Sequence, residues 1–345
     1  MRYEDMMKQG KMIFGGLSAM SRELQKEDWQ GVHYTILLDE NTFQNCLPTL
    51  VSQVDSLQEA EFIEVPVGEE CKSLEVAAQV WQTLLENGAD RHSVIVNLGG
   101  GAVCDLGGFV AAGFKRGIRY INVPTTLLAM VDAAIGGKTA VDFGGVKNSI
   151  GHFYPSSMTV IEPVFLQTLP QEEVLNGMFE MVKTALVSDA ALYNRLLTGV
   201  NIKSSDIKEI ARIKSRVVKA DPYDNSIRKI LNFGHTFGHA IETYSQMPHG
   251  VAVGIGMSVA MYLSVKKLGL SGEVYHSYSK WLKERVTLPK YTLKNIEQML
   301  PLMYQDKKNA AGDLRCVLLQ EVGAAVIDVC VSDNEVRDAF LKLAQ

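Results

Sequence analysis

Short aliphatic runs alternate with helical patterns through the first half of the chain, from residue 1 to about 165. Helical segments such as Ser73–Glu86 repeat their apolar residues with a period near 3.6. Strands that are separated by helices pair in parallel through right-handed crossovers, so we predict an α/β domain built on a parallel sheet. The predicted strands of that sheet are Tyr34–Asp39, Glu61–Val65, Ser93–Asn97, Arg119–Val123 and Ser157–Ile161.

The second half of the chain changes character and is predicted to be mainly helical. A single core stops growing at about 250 to 300 residues, so a chain of 345 residues is expected to form two domains. We divide them as residues 1–168 and 169–345. A late pair of strand-like runs, Leu314–Leu319 and Ala324–Cys330, is predicted to form a hairpin before a final helix. The helical patterns cover residues 171–190, 203–220, 229–244, 250–268, 273–286 and 293–308.

The net charge of −5 and the lack of long Lys/Arg runs argue against nucleic acid and membrane surfaces as partners. Five cysteines, an odd number without a C-x-x-C pair, argue against a disulfide framework or a thiolate metal site. The N-terminal residues lack an apolar signal segment, and no stretch of about 18 uncharged apolar residues occurs. We therefore expect a cytoplasmic protein with a small-molecule partner.

Three of the seven histidines lie between residues 235 and 249. His235 and His239 are four apart, so a helix would place both imidazoles on one face, within reach of one metal ion. Neutral imidazole is a common zinc ligand, and a catalytic zinc also needs a carboxylate or another third ligand. The alternative is a pair of helical histidines that are hydrogen-bonded within a core.

Glu180 and Lys183 are three apart on one predicted helix face, which usually means an exposed ion pair of small energetic worth. Here their sequence neighbours are apolar, among them Phe179. A buried carboxylate needs a partner, and a metal ion shared with His235 and His249 would provide one.

The glycine-rich stretch Gly99–Gly108 follows a predicted strand directly and precedes a helical pattern. Glycines there let the backbone approach a pyrophosphate, and the helix N-terminus supplies N–H donors. The stretch departs from G-x-G-x-x-G at Cys104, and no acidic residue follows about 20 positions on. A tight structural turn is therefore the alternative to nucleotide binding.

A second glycine-rich stretch, Gly136–Asn148, contains Lys138 and Lys147. We predict a loop that holds an anionic group against backbone donors, with solvated loop lysines as the alternative. Its Gly-Lys-Thr sequence lacks the preceding part of an ATP-binding loop, so ATP hydrolysis is not supported.

A series of motifs follows in order: Gly-Gly-Gly-x-x-x-Asp105, Val-Pro-Thr-Thr-Leu-Leu-Ala-x-Val-Asp132, Gly-Gly-Lys138-Thr, Lys147-Asn148, Glu180-x-x-Lys183, Asn232-Phe-Gly-His-Thr-x-Gly-His-Ala-x-Glu242 and Asp306-Lys-Lys308. With these motifs the chain resembles the 3-dehydroquinate synthase family, shikimate-pathway enzymes that cyclise a seven-carbon sugar phosphate. The resemblance runs from Asp39 to Lys308. It implies a Rossmann-like N-terminal domain, a mainly helical C-terminal domain, bound NAD, a divalent metal (Zn²⁺ or Co²⁺) and a homodimer.

The resemblance also implies a role for each matching residue. The implied metal ligands are Glu180, His235 and His249, whereas His239 is implied to face the substrate as a proton-transfer group. The residues implied to be catalytic are His239, Asp224, Lys183 and Lys138. The implied substrate contacts are Arg116 from the partner subunit, Asp132, Lys138, Asn148, Lys183, Lys214, Arg228, Asn232, His235, His249 and Lys307. The implied NAD contacts are Asp39, Asn41, Glu69, Glu70, Lys72, Gly100, Gly101, Ala102, Asp105, Thr125, Thr126, Lys147, Phe165 and Thr168.

The implied reaction converts 3-deoxy-D-arabino-heptulosonate 7-phosphate to 3-dehydroquinate and phosphate. The chain departs from the family pattern at Asp224, where glutamate is usual, and at Ala133-Ala134, which replaces a serine-containing pair. The alternatives are another NAD- and metal-dependent sugar-phosphate cyclase, a metal-dependent polyol dehydrogenase and an inactive NAD-binding regulator. The intact set of charged site residues argues against the regulator, because burying ions without a use is costly.

Overall fold

The computed structural model describes residues 10–199, 201–304 and 314–343. The chain divides into two compact units. The first unit ends at Val174 and also takes in Ile207–Pro222, and the second comprises Leu175–Asp206 and the residues from Tyr223 onward. The first unit is therefore discontinuous in sequence.

The described residues form ten strands and thirteen α-helices, numbered here in chain order. The strands are β1 Lys11–Ile13, β2 Tyr34–Asp39, β3 Glu61–Val65, β4 Val94–Gly99, β5 Arg119–Pro124, β6 Lys138–Phe143, β7 Val146–Phe153, β8 Met158–Val160, β9 Leu314–Glu321 and β10 Ala324–Val331. The helices are α1 Gly16–Leu24, α2 Glu40–Asn45, α3 Leu47–Gln53, α4 Leu74–Glu86, α5 Gly101–Gly113, α6 Gln171–Leu186, α7 Ala190–Thr198, α8 Ser204–Ala220, α9 His235–Ser245, α10 His249–Leu268, α11 Gly272–Lys283, α12 Leu293–Tyr304 and α13 Asp333–Lys342.

The first unit is built on a six-stranded sheet in the order β1-β8-β5-β4-β2-β3, with every neighbouring pair parallel. All residues of β2 and β4 are buried, as expected for central strands of a parallel sheet that is covered on both faces. The parallel sheet and its five predicted strands are confirmed. The edge strand β1 was not predicted, because three residues carry too little pattern to be recognised.

A row of polar side chains crosses the middle of this sheet. The strand register aligns Asn97, Asn122 and Thr159 on β4, β5 and β8. Asn97 Nδ2 donates to Asn122 Oδ1 at 2.9 Å, and Asn122 Nδ2 donates to the carbonyl of Ala134 at 3.2 Å. Buried polar groups require such partners, and this row fixes the turn that follows Asp132.

The predicted loop over Gly136–Asn148 is wrong, because most of this stretch belongs to the antiparallel hairpin β6–β7. Gly144 and Gly145, both with positive φ (61° and 78°), form the tight turn between the strands. Two central residues with positive φ match the twist of a two-residue hairpin, which explains the glycine pair. Thr139 and Val141 face inward and are buried, so Lys138 lies on the opposite, exposed side.

The second unit is mainly helical, as predicted, but two of the predicted helices are interrupted. The pattern at 171–190 splits at Leu186, and Asp189 caps the next helix by accepting from the Leu192 N–H at 2.9 Å. The pattern at 229–244 splits at Gly234, whose left-handed backbone (φ 80°) separates the 3₁₀ turn Ile227–Asn232 from α9. The predicted C-terminal hairpin is confirmed as β9–β10. Residues 305–308 of the last predicted segment lie outside the described residues.

Helices α9 and α10 approach each other closely enough for their backbones to touch. A Cβ atom on Gly256 would lie 2.3 Å from the carbonyl oxygen of Gly234 and 2.6 Å from the amide nitrogen of Gly238. Only glycine fits such a contact, so the spacing of the two helices is set by this residue. Helix α10 is long and apolar enough to cross a membrane by composition, but 67% of its most apolar window is buried inside the protein.

Candidate functional site

The three clustered histidines come together at the beginnings of α9 and α10. His235 and His239 lie one turn apart on α9, with ring centroids 5.2 Å apart, which confirms that the four-residue spacing places them on one face. The ring of His249 lies 5.4 Å from that of His235 and 5.6 Å from that of His239. One ligand nitrogen from each histidine lies within 4.8 Å of the others, so the cluster could hold a metal ion.

Glu180 on α6 supplies a carboxylate to this cluster. Its Oε1 lies 3.7 Å from Nε2 of His235 and 3.7 Å from Nε2 of His249. Glu180 is 1% exposed and its Oε2 forms an ion pair with the equally buried Lys183, whereas Oε1 accepts no hydrogen bond from the described residues. A buried carboxylate with unused lone pairs beside two imidazoles is the donor chemistry that Zn²⁺ and similar ions use.

His235 and His249 each have a hydrogen-bond acceptor at Nδ1. His249 Nδ1 lies 2.9 Å from Oε2 of Glu242, and His235 Nδ1 lies 3.3 Å from the carbonyl oxygen of Phe233. A ring that donates from Nδ1 presents the lone pair of Nε2, and in both rings Nε2 faces Glu180. Sequence reasoning gave Glu242 no role, although its position three residues after His239 puts it on the same helix face.

Electrostatics distinguishes the two rings. Burial, together with the charge of Lys183, lowers the pKa of His235 well below its usual value, so this ring is neutral. Burial alone would also lower the pKa of His249, but the hydrogen bond to Glu242 and the charges of Glu180 and Glu242 raise it. Neutral His235 is therefore ready to act as a ligand.

The predicted substrate contacts of this unit flank the cluster in sequence. Arg228 is buried and Asn232 half-buried, and both lie on the 3₁₀ turn. The structure therefore does not place Asn232 one α-helical turn after Arg228. Asp224 has a left-handed backbone, with φ 59°. Lys307 lies outside the described residues.

In the first unit the sequence Gly99–Gly108 forms the expected strand–turn–helix. Strand β4 ends at Gly99, Gly100 precedes the helix, and α5 begins at Gly101. The N–H groups of a first helical turn are available to an anion. Thr125 lies beside this turn, because its N–H donates to the carbonyl of Gly99 at 3.0 Å.

Lys72 joins several predicted residues near that turn. Its ammonium lies 2.8 Å from Oδ2 of Asp105 and 2.5 Å from Oδ1 of Asn148, while Glu69 is 3.8 Å away. Lys72 is 4% exposed, and burial alone would lower its pKa, but the carboxylates of Asp105 and Glu69 raise the pKa. The structure thus brings three predicted NAD contacts together with Asn148, a predicted substrate contact. Asp142, which sequence reasoning missed, fixes Asn148 by accepting its N–H at 2.7 Å.

Two further predicted residues of this unit pair with each other. Lys214 on α8 forms an ion pair with the carboxylate of Asp132 and donates to the Asp132 carbonyl at 2.8 Å. Asp39 also has a structural role, because its carboxylate accepts the Thr42 N–H at 2.9 Å and caps α2. Among the remaining predicted residues Phe165 is buried, Thr126, Gly100, Gly101 and Ala102 are half-buried, and Asn41, Glu70, Arg116, Lys138, Lys147 and Thr168 are exposed.

Family models describe most of the chain. The model "3-dehydroquinate synthase N-terminal" matches residues 62–176, and "3-dehydroquinate synthase C-terminal" matches residues 177–309. A 3-dehydroquinate synthase from Parabacteroides distasonis is 38% identical over 316 residues, which cover 88% of this chain and 89% of that protein.

Solved structures share the fold over almost the whole chain. The 2-epi-5-epi-valiolone synthase from Streptomyces hygroscopicus, with NAD⁺ and Zn²⁺ bound, superposes with a TM-score of 0.84 at 25% identity and covers 97% of each chain. A 2-deoxy-scyllo-inosose synthase complexed with carbaglucose-6-phosphate, NAD⁺ and Co²⁺ superposes with a TM-score of 0.85 at 24% identity and covers 96% of each chain.

Proposed function

This chain belongs to the 3-dehydroquinate synthase family, and we propose that it converts 3-deoxy-D-arabino-heptulosonate 7-phosphate to 3-dehydroquinate and phosphate. The observation that carries the proposal is the breadth of the match, which spans residues 62–309 in the family models and 88% of the chain in a named relative. All five cysteines are free thiols, which fits an enzyme of the reducing cytoplasm.

NAD and a divalent metal are the cofactors of the proposed reaction. Glu180, His235 and His249 would hold the metal through one carboxylate oxygen and two Nε2 atoms. The first turn of α5 and the Lys72–Asp105 pair would hold NAD, with the other predicted contacts of the first unit. When bound, NAD supplies reversible hydride transfer and the metal supplies a Lewis acid for a substrate oxygen.

The residues of the chain itself bind the anionic groups and move protons. His239 lies on the exposed face of α9 beside the proposed ligands, where it can exchange a proton with substrate. Arg228 offers a planar guanidinium that matches a carboxylate or phosphate in two hydrogen bonds, whereas the lysines act as point charges. Asp224 takes the place of the usual glutamate, and its left-handed backbone sets where the shorter carboxylate points.

Phosphate release tests this function directly. The purified protein with Zn²⁺ and NAD should release phosphate from 3-deoxy-D-arabino-heptulosonate 7-phosphate and form 3-dehydroquinate, and chelation should abolish the activity until metal is restored. Glucose 6-phosphate and sedoheptulose 7-phosphate lack the carboxylate, so a site built for that charge should reject them strongly. Comparable kcat/KM on either neutral-headed sugar phosphate would identify a different cyclase.

Arg228→Lys tests the residue that we assign to the substrate carboxylate. A single ammonium cannot replace the two parallel hydrogen bonds of a guanidinium, so kcat/KM should fall by the equivalent of about 2 to 4 kcal/mol. Arg285→Lys is the matched control, because Arg285 lies on Trp281 with its guanidinium carbon 4.4 Å from the ring centroid and has no assigned role in the site. An unchanged kcat/KM in Arg228→Lys would remove Arg228 from the proposed site.

A further inference from the structure

The 3₁₀ turn Ile227–Asn232 carries Arg228 and Asn232 and is too short to hold its own position. A 3₁₀ turn has poor hydrogen-bond geometry and depends on what packs against it. Gly234 follows the turn with a left-handed backbone, so the turn does not continue into α9. The described elements that pack against this turn include both strands of the C-terminal hairpin, β9 and β10.

Strand β10 contains an irregularity at the point that faces this turn. The pairing with β9 shifts register between Val326 and Val329, and Asp328 within the shift has φ 56°. A left-handed backbone is unfavourable for a non-glycine residue, although aspartate tolerates it better than most. A bulge of this kind redirects a side chain, so the partner of the Asp328 side chain indicates what the bulge is for.

Asp328 points at the residue next to Arg228. Its Oδ2 lies 2.9 Å from Nζ of Lys229, and the side chains are 36% and 23% exposed. The ion pair ties the strained bulge to the 3₁₀ turn at one residue from the buried guanidinium.

We propose that Asp328 is a positioning residue, which holds Lys229 and thereby the turn that presents Arg228 to an anionic group of the substrate. The proposal rests on the proposed function, because it takes Arg228 as a substrate contact. Asp328 does not itself touch substrate in this proposal. The hairpin that carries it begins after residue 309, where the match to the family models ends.

Two substitutions remove the carboxylate and keep the backbone. Asparagine and glycine both tolerate a left-handed conformation, so Asp328→Asn and Asp328→Gly should preserve the bulge. Lys229→Met removes the other partner. Each variant should raise KM for the heptulosonate phosphate roughly three- to tenfold, with little change in zinc affinity.

Backbone amides of residues 228–232 should exchange hydrogen faster in each variant than in the wild type, because the turn opens more often. The double variant Asp328→Asn/Lys229→Met should be no worse than either single variant, because one interaction is lost in all three.

Lys267→Met is the matched control. It removes the ion pair between Lys267 on α10 and Glu335 on α13, which is 2.7 Å long with side chains 27% and 37% exposed. The control should leave KM and the exchange of residues 228–232 unchanged. An Asp328→Asn variant with wild-type KM and wild-type exchange, or an equal rise of KM in the control, would overturn the proposal. A wild type that does not turn over the heptulosonate phosphate would instead overturn the proposed function, while the exchange measurement still tests Asp328.

Discussion

The imidazole of His249 has a carboxylate beside each of its nitrogens, Glu242 at Nδ1 and Glu180 at Nε2. Losing the carboxylate that orients a metal-binding histidine typically reduces metal affinity by about 10- to 100-fold. We therefore predict that Glu242→Gln weakens Zn²⁺ binding by about tenfold or more, measured by competition with a fluorescent chelator. Glu297→Gln is the control, because Glu297 pairs with Arg337 at 2.7 Å outside the histidine cluster. Equal zinc affinities in the two variants would contradict this role of Glu242.

Replacing Lys72 should reveal how much its ion pair with Asp105 contributes to the free energy of unfolding. Breaking a buried ion pair leaves one charge uncompensated, which costs about 3 to 5 kcal/mol. Lys72→Met should therefore lower the free energy of unfolding by about that amount at pH 8, measured with urea on the protein without cofactors. An exposed pair should matter far less, so Lys11→Met, which removes the pair with Glu23, should have a small effect.

The free energy of unfolding of Lys72→Met should depend on pH differently from that of the wild type. Burial raises the pKa of Asp105 even beside Lys72, and without that ammonium the folded state will bind a proton more readily than the unfolded chain. The free energy of unfolding of Lys72→Met should therefore increase as the pH falls from 8 to 5. Carboxylates raise the pKa of Lys72 above its usual 10.5, so in the wild type its contribution is complete throughout that range and is lost only at higher pH. A constant difference between variant and wild type would contradict this account.

At the residue scale, local spacing predicts what lies on one helix and little beyond it. The four-residue interval predicted that His235 and His239 share a face, and the structure confirms it. The approach of Glu180 to both Nε2 atoms depends on the packing of three helices, so spacing alone does not predict it. The apolar neighbours of Glu180 and the family resemblance pointed to it instead. The sequence did not predict the role of Asp328, because an aspartate within a strand pattern indicates neither a bulge nor a left-handed backbone.

Gly256 controls the distance between the two helices that carry the histidines. Gly256→Ala would drive a methyl group into the backbone of Gly234 and Gly238, so α9 and α10 must separate. We expect a loss of about 1 to 3 kcal/mol in stability, as for other overpacked cores, together with weaker zinc binding. Gly272→Ala is a suitable control, because a Cβ atom there meets nothing closer than 3.9 Å. Normal zinc affinity in Gly256→Ala would show that the histidines adjust independently of helix spacing.

At the scale of elements, periodicity predicted the sheet strands and most helices, because burial on two faces or one face leaves a strong pattern. It failed where glycine pairs and short polar residues dominate. The hairpin β6–β7 was predicted as a loop, because the six exposed residues around its turn, 143–148, show no alternation. The 3₁₀ turn Ile227–Asn232 was predicted as part of an α-helix, because both have apolar residues three and four apart.

For the whole molecule, we predict that Arg116 completes the substrate site of a partner subunit in a homodimer. Lys115 and Arg116 both have left-handed backbones, with φ 50° and 66°, and such strain is often retained at functional positions. Arg116→Ala should be nearly inactive, as should a chain with Lys138→Ala. Purified mixed dimers of the two variants should recover up to about half of the wild-type activity, because one of their two sites is intact.

The control for this test is a mixture of Lys138→Ala chains with Lys138→Ala chains that carry a different affinity tag. Such dimers contain no intact site and should stay inactive. Verified mixed dimers of Arg116→Ala and Lys138→Ala that also stay inactive would show that Arg116 acts within its own subunit or has no role in the substrate site.

The discontinuity of the first unit has a consequence for how the ribosome makes this protein. When residue 174 has been synthesised, that unit still lacks Lys214, the partner of Asp132, and Arg212, whose guanidinium lies 5.2 Å from the ring centroid of Phe14. At about 5 to 20 residues per second, the nascent chain waits roughly 2 to 10 s more before residue 222 is made. Translation delivers α6 and α7 of the second unit during that interval, so the first unit cannot be completed before part of the second has been made.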